Sequence, residues 1–156
     1  MTELISTDAG FSGAQRRMLE ILVDMMIPAN GEFPSARAPD IFARTLAGLQ
    51  ENVSIVGEGL VALDALAEEK YSASFQTLTA ADRDELIAGF KPAHVAFVQI
   101  LQARVISSYY QDDRVLRALG LPVRAPHPGG YEVPDTDWSL LDPVRNRKPF
   151  YKEPTR

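Results

Sequence analysis

The residues of this chain whose types could do chemistry are two histidines, a serine pair, a glycine-acid-glycine run and a few tail carboxylates. His94 and His127 are the only histidines, and neither has an Asp or Glu three or four positions away. A catalytic zinc site takes three protein ligands, which this pair cannot supply. His94 falls at a helical angle close to Leu101 and Val105 and reads as a core histidine. His127, between Pro126 and Pro128, reads as a turn cap or a partner contact. Ser107 and Ser108 lie in a helical stretch with no identifiable base, and no G-x-S-x-G elbow is present. The chain has no cysteine, so thiol nucleophiles, thiolate metal sites and disulfides are excluded.

Gly57-Glu58-Gly59-Leu60-Val61-Ala62 fits the G-x-G-x-x-G/A dinucleotide fingerprint, and Val53 to Val56 could pass for the strand before it. That mechanism also needs a βαβ unit, with an acidic residue at the end of a second strand about 20 positions on. Here Tyr71 to Ala80 is a helix exit followed by a cap, and Asp82 and Asp84 fall inside the next helix. Glycines that let two helices approach closely are the better reading, at some cost in helix propensity. Asp135-Thr136-Asp137, with Glu132 and Asp142 nearby, has the makings of a cation site, but solvating charge explains it more simply. Tyr109 and Tyr110 stand about 100° apart on a helix, so one ring can pack inward while the other faces out.

The elements that must position these residues are helices. With 46% hydrophobic and 24% charged residues, the 156-residue chain has the composition of one globular domain with a real core. A net charge of −5 without a Lys/Arg cluster argues against nucleic acid as a partner. No apolar run approaches the ~18 residues of a membrane-spanning helix. Gln15-Arg16-Arg17-Met18-Leu19 has a superficial likeness to a twin-arginine export signal. Glu20, Asp24 and Pro28 interrupt the apolar stretch downstream of it, so an amphipathic helix is expected there.

Ser12 and Gln15 have capping-box spacing, and Ala14, Met18, Leu22 and Met25 recur at helical period up to Ile27. Pro28 to Gly31 stops that helix, and Pro39 suits the first position of a second, running to about Gln50. A third spans about Val53 to Tyr71. Thr79 and Asp82 cap a fourth through Leu86, Ile87 and Phe90, and Pro92 separates it from a fifth that ends near Tyr110. The fifth places apolar residues at nearly every angle, which predicts a central post enclosed by the others. A short helix, Arg114 to Leu119, stops at Gly120. The expected fold is all-α: a single-domain bundle of about five helices around that post over residues 1–120, then an irregular tail over 121–156.

Pro122, Pro126, Pro128, Pro134, Pro143, Pro149 and Pro154 argue against regular helix or a central strand in the tail. Tyr131, Trp138, Phe150 and Tyr151 are large apolar side chains that a purely solvated tail would not carry. Extended, Leu121 to Pro154 could reach about 110 Å. A segment stiffened by proline and studded with rings is suited to lie along another protein's surface.

Four stretches, in this order, resemble the small-subunit family of gluconate 2-dehydrogenase, also called subunit 3 or the gamma subunit. They are Asp24-Met-Met-Ile27-Pro28-Ala29, a helix containing Ile41-Phe42, Phe75-Gln-Thr-Leu78-Thr79-Ala80-Ala81-Asp82-Arg83, and Ser108-Tyr109-Tyr110 followed by Leu119-Gly120 and Pro128-Gly129-Gly130-Tyr131. The resemblance implies a small, cofactor-free, non-catalytic subunit. It associates with a large FAD-dependent flavoprotein of the glucose–methanol–choline type that oxidises a sugar, sugar acid or glycoside. A cytochrome c subunit often accepts the electrons. Many members carry a twin-arginine signal that escorts the folded partner outward. This chain departs from that pattern, so the expected place is the cytoplasm, or the periplasm if the partner bears the signal.

The resulting expectation has no catalytic, cofactor-binding or metal-binding residue in this chain, FAD held by the partner, and an interface through Tyr110, Pro128, Gly129, Gly130, Tyr131, Trp138, Phe150 and Tyr151. Tyr131 and Trp138 would be its anchors, while Gly129-Gly130 would allow close backbone approach or a positive φ. Two other readings stay open. One is a stand-alone helical enzyme with a small-molecule pocket in which His94 is acid or base beside Tyr109 or Tyr110. The other is a homo-oligomeric binding protein whose tails exchange between copies.

Overall fold

The structure is a computed structural model that describes residues 10–124, 127, 129–130 and 135–148. Its described residues are all-α, with one isolated bridge, Asn30 to Phe33, and no strand. The chain divides into two units, residues 1–123 and 124–156.

In the first unit the helix starts obey local chemistry. Helix α1 (Gly13–Met26) opens on a complete capping box: Ser12 Oγ accepts from the Gln15 amide at 3.2 Å, and Gln15 Oε1 accepts from the Ser12 amide at 2.9 Å. Helix α2 (Pro39–Gly48) begins at the proline, whose missing N–H is not needed there. Helix α3 (Val53–Tyr71) ends at Ser72, a left-handed residue at φ 52°. Helix α4 (Ala80–Phe90) is capped by Thr79, whose hydroxyl accepts from the Asp82 amide at 3.2 Å. The chain turns through 114° about His94 into α5 (Val95–Tyr109). Asp112 caps α6 (Asp113–Ala118), and Gly120 comes next at φ 70°.

Helix α3 is the shared floor: α1, α4 and α5 all pack on it, burying Val56, Leu60, Leu63 and Ala67 completely. Its approach to α5 is unusually close. A Cβ at Gly59 would lie 2.3 Å from Phe97 Cδ2 and 3.0 Å from Phe97 Cβ, so only glycine fits. Within the glycine run Gly59 is therefore a helix-packing device inside α3, with no strand before it.

The expectation of a fully enclosed fifth helix is corrected. Helix α5 packs on α2 and α3 through Phe97, Leu101, Val105 and Tyr109, but Val95 and Ile106 are about half exposed, at 51% and 49%. Apolar residues at most angles around a helix do not show that each side is covered.

Between α3 and α4, Asp64 Oδ1 accepts from the Phe75 amide at 2.9 Å and from Ser74 Oγ at 3.0 Å. Arg83 donates to the carbonyls of Phe75 and Gln76 from the other side. The stretch Phe75 to Arg83 is thereby a polar clamp around a fully buried ring.

In the second unit, a 3-10 turn (Trp138–Leu141) leads into the single turn α7 (Asp142–Arg145). The tail thus contains short helical turns, correcting the expectation drawn from its prolines. Pro143 sits in the first turn of α7, where a proline sacrifices no hydrogen bond.

Candidate docking surface

At the carboxyl end of α5 the two tyrosines divide their labour. Tyr109 is buried, and its hydroxyl donates to the Pro34 carbonyl at 3.0 Å. Burial raises its pKa above the ordinary phenol value, helped by the neighbouring Tyr110 and Asp112. Tyr110 packs edge-on against it, ring centres 5.5 Å apart, and is half exposed. Two further ties hold this end in place. Arg44 Nη1 donates to the Ser108 carbonyl at 2.9 Å, and the buried Asp112 accepts from Arg114 at 2.8 and 2.9 Å. The Arg114 hydrogen bonds hold the Asp112 carboxyl below the usual carboxylate range, against the desolvation that opposes them.

Among the expected interface residues of the second unit, Gly129 and Gly130 are exposed, and Gly130 takes φ 62°. The Arg124 guanidinium donates to the Gly130 carbonyl, which ties this short turn together. His127 is exposed in the same turn. Trp138 is 63% exposed, and Leu140 and Val144 nearby are 73% and 62% exposed. Asp137 is engaged as a cap, accepting from the Ser139 amide at 3.0 Å and the Ser139 hydroxyl at 2.6 Å. Those bonds lower its pKa, the side-chain bond most, and give the carboxylate a structural task. Pro128, Tyr131, Phe150 and Tyr151 lie outside the described residues.

The rival acid-base site is not assembled. His94 and Tyr109 stand at opposite ends of α5, about 22 Å apart by helical rise. His94 instead stacks face-on against Phe90, centroids 3.9 Å apart, and is half-buried. Among the described residues, no three His, Cys, Asp or Glu side chains gather where they could hold a metal.

One surface is not legible in the sequence. A cleft of about 470 Å³ opens over Leu63 of α3, walled by the end of α1, by α4 and by α5. Met25, Met26, Ile87, Val98 and Ile106 give it an apolar lining, with Asp84, Lys91 and Gln102 as its polar members. Its one signal is the set of apolar residues of α5 beyond the buried face, which predicted enclosure and instead mark this opening.

Residues 13–119 match the family model described as Gluconate 2-dehydrogenase subunit 3. That range covers the first unit from α1 to α6 and stops short of the Pro128-Gly129-Gly130-Tyr131 stretch. Neither a curated protein nor a solved structure matches the chain.

Proposed function

Since the chain belongs to the gluconate 2-dehydrogenase subunit 3 family, we propose that it is the non-catalytic small subunit that stabilises and escorts a large FAD-dependent dehydrogenase. That partner, of the glucose–methanol–choline type, oxidises a sugar, sugar acid or glycoside. The flavin and the acid-base residues belong to the partner, and a cytochrome c subunit is a suitable onward acceptor. The observation that carries this reading is the exposure of Trp138, Leu140 and Val144, three large apolar side chains close together in sequence. Large rings and branched side chains left in water favour burial on another surface, and Trp is a frequent anchor of protein interfaces. Prolines along the same segment reduce the chain entropy lost on docking.

Co-expression tests this directly. The large flavoprotein produced alone is expected to be insoluble, poor in flavin or inactive, and co-production with this chain to rescue it. Truncation after Gly120 should leave the bundle folded and abolish co-purification. A large subunit equally stable and active by itself would refute the stabilising role. A lone chain that elutes as a stable homo-oligomer and binds no flavoprotein would favour tail exchange instead.

A further inference from the structure

The cleft over Leu63 is lined by residues of the first unit alone. We propose that it receives an amphipathic α-helix of the large subunit, apolar face inward, with one cationic and one anionic side chain about a heptad apart meeting Asp84 and Lys91. The inference rests on the proposed partnership with the flavoprotein and names the element of that partner which this face recognises.

Three observations select a helix. First, α1, α4 and α5 each pack on α3, and the cleft lies among them with Leu63 as its floor. The vacant place is bounded by helices, and helices fill such places by setting side-chain ridges into grooves at axial separations of about 8–10 Å. Second, the walls can adapt. Met25 and Met26 are unbranched and half-buried, and Ile106 is 49% exposed. Flexible thioethers suit a surface that must repack around incoming side chains.

Third, the rim carries opposite charges at helical spacing. Asp84 and Lys91 are seven residues apart, which places them on one side of α4 and its 3-10 extension, about 10 Å apart along the axis. Neither makes an ion pair within the described residues. A helix offers complementary charges at the same heptad interval. An anionic amphiphile would match Lys91 and meet repulsion from Asp84, so the charge pattern disfavours a fatty acid or similar tail in this cleft.

The test uses the co-purified complex. Ile106→p-benzoylphenylalanine is irradiated in the complex, and the cross-linked peptide is sequenced. The expected product joins this position to a helical segment of the large subunit with apolar residues at i and i+4 and one acid and one base a heptad apart. A cross-link to residues 125–156 of this chain, to a second copy, or to a non-helical partner segment overturns the proposal.

In parallel, Ile106→Glu should weaken the complex at least 30-fold, the effect of losing a central anchor of about 2 kcal/mol. Val61→Glu, on an exposed part of α3 outside the cleft, should bind like the parent chain. If Ile106→Glu fails to fold, the exposed Asp84→Lys and Lys91→Glu carry the test, each expected to weaken binding about fivefold. Parent-like affinity in the cleft variants, with binding still lost on truncation after Gly120, sinks the cleft and spares the subunit reading. A parent chain that binds no flavoprotein at all sinks both.

Discussion

Replacing Gly59 with alanine should destabilise this protein, although alanine is the better helix former. The gain in helix propensity is about 1 kcal/mol. Against it, the new Cβ would sit 2.3 Å from Phe97 Cδ2, 2.6 Å from Cγ and 3.0 Å from Cβ. A change of χ1 swings Cδ2 and Cγ away but leaves Cβ in place, so α3 and α5 must also separate slightly. Phe97 is buried and stands edge-on to Phe90, ring centres 5.8 Å apart, and Phe90 in turn carries the His94 stack. Moving it disturbs a packed aromatic row. Overpacking of this kind costs about 1–3 kcal/mol, and here the upper end applies because backbone must move. The net expectation is a loss of about 1–2 kcal/mol, or roughly 3–8 °C in melting temperature for a chain of this size.

Gly57 is the matched control, two residues earlier on the same helix. Its added Cβ meets only Gln15 Nε2 at 3.5 Å, an ordinary contact. Gly57→Ala should therefore stabilise by about 0.5–1 kcal/mol. Urea unfolding of both variants, followed by circular dichroism, gives the two signs. Trimming the ring by Phe97→Leu relieves the Cδ2 contact but keeps Cβ and Cγ, so part of the Gly59→Ala penalty should persist. Equal stabilisation by both alanines would refute the claim that Gly59 sets the α3–α5 separation.

Three further outcomes rest on named contacts. Tyr109→Phe deletes the hydroxyl bound to the Pro34 carbonyl and should cost about 1 kcal/mol, read from urea midpoints. Because the folded-state pKa of Tyr109 is raised, its neutral form stabilises the fold below about pH 10, and that stability is lost as pH climbs above the unfolded value; the Phe variant should flatten that alkaline loss. Asp112→Ala removes the cap of α6 and both Arg114 bonds and should cost about 1–2 kcal/mol. The lowered Asp112 pKa means its contribution is complete above about pH 4 and disappears as pH falls through the folded value, so acid titration of the variant should show a shallower decline. Trp138→Ala should weaken partner binding by about 2 kcal/mol, near 30-fold by calorimetry, and unchanged affinity would remove that ring from the interface.

Helix starts and stops are legible in the sequence because the forces that set them act within one turn. Ser12 with Gln15 and Thr79 with Asp82 each fix an end by bonds between residues three apart, Pro39 by its preset φ at a first helical position, and Gly120 by its left-handed φ past a last one. Of the stretches that carry the family resemblance, Asp24 to Ala29 and Ser108 to Tyr110 run through helix ends and Phe75 to Arg83 forms the clamp. The helical turn at Pro143 is not legible, because seven prolines taken as a group read only as breakers. A proline's effect depends on whether its own position needs an N–H, and Pro143 does not.

Beyond the reach of the sequence lay the relation of one helix to another. A periodic stripe states which side of a helix is apolar, but not how much of it a neighbour covers. Coverage depends on interaxial distance and angle, here set by the contact of Gly59 with Phe97 and by the 114° turn at His94. Those two features leave Ile106 and Val95 uncovered, with Ile106 on the open cleft over Leu63. Local hydrogen bonding determined the elements, whereas packing between distant segments decided which apolar surface stayed open.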